Sequence, residues 1–195
     1  MAIKFNPEIK NPTNIIKYFN ALNSMAWLDM ELNNNTKALK YLKEACDCDI
    51  DLLYIPKYAS NLVKLRIAVV SYKLKDYMTC FTLLDSLISY NNYDIGMKYV
   101  IYFKSAIVTG NQDIAVANSL KQISTITNPT TKKVIDYFIC KIQNKYNYCE
   151  LEEIIVNNFT KDYVKSSVLF NTFKDELSEI VDNTKHYKLY KIYDN

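Results

Sequence analysis

The sequence predicts an all-α chain, built as a stack of antiparallel helical hairpins, and three observations predict it. Glycine and proline are scarce, 2 and 4 in 195 residues. Sheet proteins use both freely in turns and phosphate-cradling loops need glycine, so both of those classes lose ground to regular helix. Apolar residues recur at spacings of three and four in one segment after another, the pattern of an amphipathic helix. Short polar corners separate those segments, among them Asn33-Asn34-Asn35 and Lys73–Asp76.

Residues 1–12 read as an extended arm, because Pro7 and Pro12 each disfavour helix in the residue before them. Thr13 or Asn14 then caps a helix to about Leu32, with its apolar positions, Ile15, Ile16, Phe19, Leu22, Met25, Ala26 and Met30, recurring at three and four. After the asparagine corner, Thr36 caps a second helix, 37 to about 48, carrying Ala38, Leu39, Leu42 and Ala45. Pro56 suits the first turn of the next helix, where its missing N–H costs nothing. The arms of the second hairpin are 59–74, packing through Leu62, Leu65, Ala68, Val69 and Tyr72, and a partner opened by Asp76 that carries Cys80, Leu83, Leu84, Leu87 and Ile88. This hairpin, residues 62–89, is the clearest in the sequence.

Asp94 caps a third pair. Its first arm ends at Gly110, a left-handed C-cap, and its second runs from Gln112 to about Ile126 with Val116, Leu120 and Ile123 at the inner positions. Asn128-Pro129 breaks the chain before a fourth pair, 131–145 and 149–158, and a fifth arm, 161–181, precedes a Lys- and Tyr-rich tail. Residues 13–195 are thus expected to form one helical-repeat domain.

Composition excludes more function classes than it selects. Hydrophobic content of 49% and charged content of 23% are those of a globular chain rather than a disordered one. Net charge is only +3 and Arg66 is the single arginine. Nucleic-acid readers rely on arginine for bidentate contacts, so this balance argues against that role. No apolar run approaches the length of about 20 residues that spans a bilayer, and the N-terminal residues lack the apolar core of a signal peptide. Cys46, Cys48, Cys80, Cys140 and Cys149 are an odd set without a secreted framework's spacing, which predicts reduced thiols and an intracellular protein.

Catalytic and metal chemistry finds no footing. His186 is the only histidine, and metal sites usually draw on several. Cys46 and Cys48 stand too close for a zinc knuckle and lack a partner pair, so they read as packed thiols. Asp47, Asp49 and Asp51 lack the glycine and closing glutamate of a calcium loop; Glu150, Glu152 and Glu153 suit a helix N-terminus. No nucleotide loop or serine elbow occurs. The expectation is a protein that is not an enzyme and carries no cofactor.

The repeat itself resembles a degenerate tetratricopeptide array. That family places a small residue early in each second helix, with large residues four and seven positions on. Ala38-x3-Leu42-x2-Ala45, Cys80-x3-Leu84-x2-Leu87, Val116-x3-Leu120-x2-Ile123 and Leu151-x3-Ile155 follow the pattern, and Leu65-x2-Ala68-Val69-x2-Tyr72 matches a first helix. The resemblance implies a right-handed superhelix of four to five hairpins. Thr82–Leu87, Gly96-Met97-Lys98 and Gly110–Ala115 further resemble segments of the meiotic synapsis-initiation scaffolds of sporulation and crossover. Nuclear localisation and a meiotic assembly would follow from that resemblance alone.

A stack of hairpins leaves a groove for a protein or peptide partner. Tyrosine is abundant at 17, and suits interfaces because it adds contact area with a polar tip. The candidate groove residues lie on first arms and are expected to point away from the partner helix: Asn61, Lys64, Tyr72, Tyr99, Tyr102 and Lys104. The rival reading is a nucleic-acid-binding helical repeat with Lys132, Lys133, Lys141 and Lys145 aligned on one surface.

Overall fold

The computed structural model describes residues 12–50, 55–88, 96–127 and 129–143, which form seven helices and no strand. They are α1 (Pro12–Glu31), α2 (Asn35–Ile50), α3 (Lys57–Lys73), α4 (Tyr77–Ile88), α5 (Gly96–Thr109), α6 (Gln112–Gln122) and α7 (Pro129–Ile142). The all-α class is as expected. The N-terminal arm, the second arm of the fourth pair, the fifth arm and the tail with His186 lie outside the described residues.

Three first helices end in the same way. Asn33, Lys75 and Gly110 take positive φ of 58°, 63° and 74°. At α1 the Asn33 N–H donates to the Met30 carbonyl at 3.1 Å and the Asn34 N–H to the Asp29 carbonyl at 2.7 Å. Lys75 and Asp76 donate in the same pattern to Tyr72 and Ser71 at 2.9 and 2.8 Å, and Gly110 and Asn111 to Ile107 and Ala106 at 3.3 and 2.8 Å. This is the Schellman closure, which satisfies carbonyls that a helix end leaves without partners. Only one of the three positions is glycine, so the corner at Lys75 is held against the steric cost of a left-handed side chain.

The left-handed residues are 42 and 35 positions apart, the length of a helical hairpin. Five residues after each comes a small side chain with no exposed surface: Ala38, Cys80 and Ala115. Four further on, Leu42, Leu84 and Ser119 are equally buried. The third set corrects the sequence register by one residue. Val116 is half-buried and Leu120 is 50% exposed, whereas Ala115 and Ser119 face inward. The apolar residues of α6 misled because its inner face is built from small and polar ones.

The chain divides into two compact units at Asp76–Tyr77. The expected single domain, 13–195, meets this division at the corner of its second hairpin, with α3 in the first unit and α4 in the second. In the first unit α2 packs on both α1 and α3. Its core is Phe19, Leu22, Ala26 and Met30 of α1, Ala38, Leu42, Ala45 and Cys48 of α2, and Val63, Ala68, Val69 and Val70 of α3. Asp29 is buried at the α1–α2 corner, where it accepts from Asn34 Nδ2 at 3.2 Å and pairs with Lys37 at 3.5 Å.

In the second unit α5 is the central helix, with α4, α6 and α7 packed on it. Residues 98–103, 105 and 106 are all buried, as expected of a helix apolar around its whole circumference. Aromatic rings run through this core from α4 to α7. Phe81 stacks on Tyr102 with centroids 5.3 Å apart, Tyr102 meets Phe103 edge-on at 5.6 Å, and Phe103 stacks on Phe138 at 5.1 Å.

The corrected register is directly testable. Ala115→Leu should cost about 1–3 kcal/mol by overpacking, and Val116→Leu less than about 0.5 kcal/mol. Urea denaturation followed by circular dichroism reads both. Equal costs, or the larger at Val116, would restore the register expected from sequence.

Candidate functional site

Of the six candidate groove residues, Asn61, Lys64 and Tyr72 fall in the first unit and Tyr99, Tyr102 and Lys104 in the second. The first three are half-buried and share one stripe of α3, with Ala68 between them fully buried. Lys104 is also half-buried.

Tyr99 and Tyr102 correct the sequence reading. They are 1% and 0% exposed, inside the aromatic core of the second unit, and offer no surface to a partner. Their segment, Tyr99-Val-Ile-Tyr-Phe103, is a continuous apolar run in which tyrosine acts as a large core side chain. The Tyr102 hydroxyl is accommodated because α4 and α6 bring polar groups to it. It donates to Asp85 Oδ1 at 2.6 Å, and Asn118 Nδ2 donates to the same oxygen at 2.8 Å. One carboxyl oxygen thereby ties three helices together. Burial, then the bond to Asp85, pushes the Tyr102 phenol well above its ordinary range.

A second polar pin lies in the first unit. The Tyr18 hydroxyl donates to Glu44 Oε1, linking α1 to α2. That bond, followed by burial, raises the Tyr18 pKa to about 12. A cleft of about 570 Å3 lies beside it along α2, from Thr36 to Asp47. Its described lining mixes Lys40 and Lys43 with Glu44 and Asp47, all from one helix, so no set of groups from different elements converges on a reacting atom.

The arrangement that sequence reasoning missed joins α1 and α3. The guanidinium of Arg66 lies over the Trp27 ring, 4.7 Å from its centroid. Nη1 donates to both oxygens of Asn23, reaching the backbone carbonyl at 3.3 Å. Burial lowers the Arg66 pKa from the usual guanidinium value. Seven residues on, Lys73 Nζ meets Asn33 Oδ1 at 3.5 Å, on the same stripe of α3. The signal was present in composition, since the chain has one arginine and one tryptophan. Their meeting across 39 positions was not.

Among the described residues no group of His, Cys, Asp and Glu side chains is placed to hold a metal ion. Nor is any described helix long and apolar enough to cross a membrane.

Two measurements follow from these pins. Asp85→Ala leaves the Tyr102 hydroxyl buried without its acceptor and should cost about 1–3 kcal/mol, more than Tyr102→Phe, which removes the donor and keeps the ring; equal costs in thermal melts would show the network to be idle. Tyr18 is held neutral by the fold, so its contribution is complete below the unfolded value near 10.0 and is lost as the pH rises towards about 12. Absorbance titration of the Tyr18→Phe variant should lack one late-ionising phenol, and an unchanged alkaline limb would refute the assignment.

No protein-family model, no curated protein and no solved structure matches the chain.

Proposed function

We propose that the chain is a non-catalytic helical-repeat protein of tetratricopeptide-like type that presents helix faces to a protein partner. One observation carries this reading: the same left-handed corner recurs at Asn33, Lys75 and Gly110, each followed five residues later by a fully buried small residue. A hairpin repeated at this length cannot bury its apolar face alone, and such repeats work by stacking and offering the remaining faces to other proteins. The packing of α2 on both α1 and α3 is consistent with hairpins in sequence.

Exposed apolar surface supports the same reading. Met25 and Leu28 of α1 and Leu32 just past its end are 42%, 61% and 69% exposed and follow one another at three and four positions. Three large side chains on one stripe form the kind of contiguous patch that marks interaction surfaces. The meiotic and nuclear part of the reading rests on the sequence resemblance.

The test is affinity capture of the tagged chain from its native cells, with each captured protein then titrated against the purified chain. A protein that binds directly and is released by Leu28→Asp with Leu32→Asp, without a change in the melting curve, supports the proposal. Chromosome-axis or crossover proteins in that set would extend it to meiosis. Recovery of nucleic acid alone, with affinity falling steeply as salt rises, would overturn it.

A further inference from the structure

Arg66 is a half-buried cation that forms no ion pair among the described residues. Its Nε is buried without a hydrogen-bond partner, and Nη1 is committed to the neutral oxygens of Asn23. Among the described residues no carboxylate forms an ion pair with it; Glu31, one turn beyond Trp27 on α1, does not. Nη2 has no partner among the described residues and is not among the unpaired atoms shut away from solvent. A partly desolvated guanidinium without a counter-charge is costly in a medium of low dielectric. Here the Trp27 ring and Asn23 hold it in place, and Nη2 donates to no described residue.

The charge pattern says what would complete it. α3 carries Lys57, Lys64, Arg66 and Lys73 and no acidic residue, so nothing within the helix neutralises Arg66. Lys57 and Lys64 lie on the opposite side of α3, because positions two apart are turned by about 200°. The stripe through Arg66 therefore carries two cations about 10 Å apart, Arg66 and Lys73, the second bonded to Asn33 Oδ1. A nucleic-acid backbone needs a longer run of cations than this. A discrete carboxylate beside an aromatic face fits better.

We propose that the α1–α3 face is a docking surface for an acidic peptide segment, one carboxylate of which binds Arg66 Nη2 beside Trp27. This rests on the protein-partner reading above and names the chemistry of that partner. The bond is a charge-assisted one to a guanidinium already oriented by its neighbours, so little side-chain entropy is lost on binding.

Trp27 is the chain's only tryptophan, so its fluorescence reports this face alone. The full chain is titrated with a short Glu-Gly-Ser repeat peptide and with the same peptide carrying Gln for Glu. The glutamate peptide should change Trp27 emission saturably and shield it from iodide quenching, and the glutamine peptide should do neither. Arg66→Gln should weaken the glutamate peptide about tenfold or more. Should that variant fail to fold, the iodide protection of the wild-type chain decides the matter. No saturable response at millimolar peptide, equal affinity in Arg66→Gln, or tighter binding of an oligothymidine overturns the proposal. A captured protein partner that binds Arg66→Gln as tightly as wild type would sink this seat and leave the scaffold reading standing. Absence of any protein partner would sink the scaffold reading itself.

Discussion

A helix end closed by a single left-handed residue is the constraint that recurs in both units, at Asn33, Lys75 and Gly110. A left-handed residue turns the backbone sharply and lets two donors beyond the helix reach carbonyls inside it. The next helix then starts beside the last turn of the first. Five residues past the corner, Ala38 of α2 and Ala115 of α6 are small side chains with no exposed surface. Position by position, the corner decides which residues face inward. That is why the inner face of α6 holds Ser119 rather than Leu120.

Polar groups act as ties within each unit. Asp85 joins Tyr102 and Asn118 across three helices, Glu44 accepts from Tyr18 across two, and Asp29 gathers Asn34 and Lys37 at the first corner. Such bonds add little net stability beyond their desolvation cost, but leaving any one of them half-made is expensive. They therefore select one register of helix against helix, where an apolar face alone would tolerate sliding. The Tyr102 phenol owes its place in the core to this arrangement, since Asp85 supplies the acceptor its hydroxyl needs.

Arg66 departs from that pattern. Asp85, Glu44 and Asp29 are acceptors met by donors from this chain, whereas among the described residues the Arg66 guanidinium meets a ring and two neutral oxygens and no acid. Its stack on Trp27 ties α1 to α3 and fixes the orientation of the group. The same orientation leaves a cation beside an aromatic surface, a combination suited to recognition as much as to packing.

By itself the sequence determined the helical class, most helix boundaries to within a few residues, and two of the three described repeat registers. Periodicity, corner residues and the scarcity of Gly and Pro are local properties that need no knowledge of neighbours. The tertiary structure alone decided which face of a given helix is inside. Tyr99 and Tyr102 look like surface residues until α4, α6 and α7 surround α5. Val116 and Leu120 look like core until the Gly110 corner sets the rotation of α6. The meeting of Arg66 with Trp27 belongs to the same category. Two residues 39 positions apart become neighbours only through the packing of three helices, and no local pattern encodes that contact.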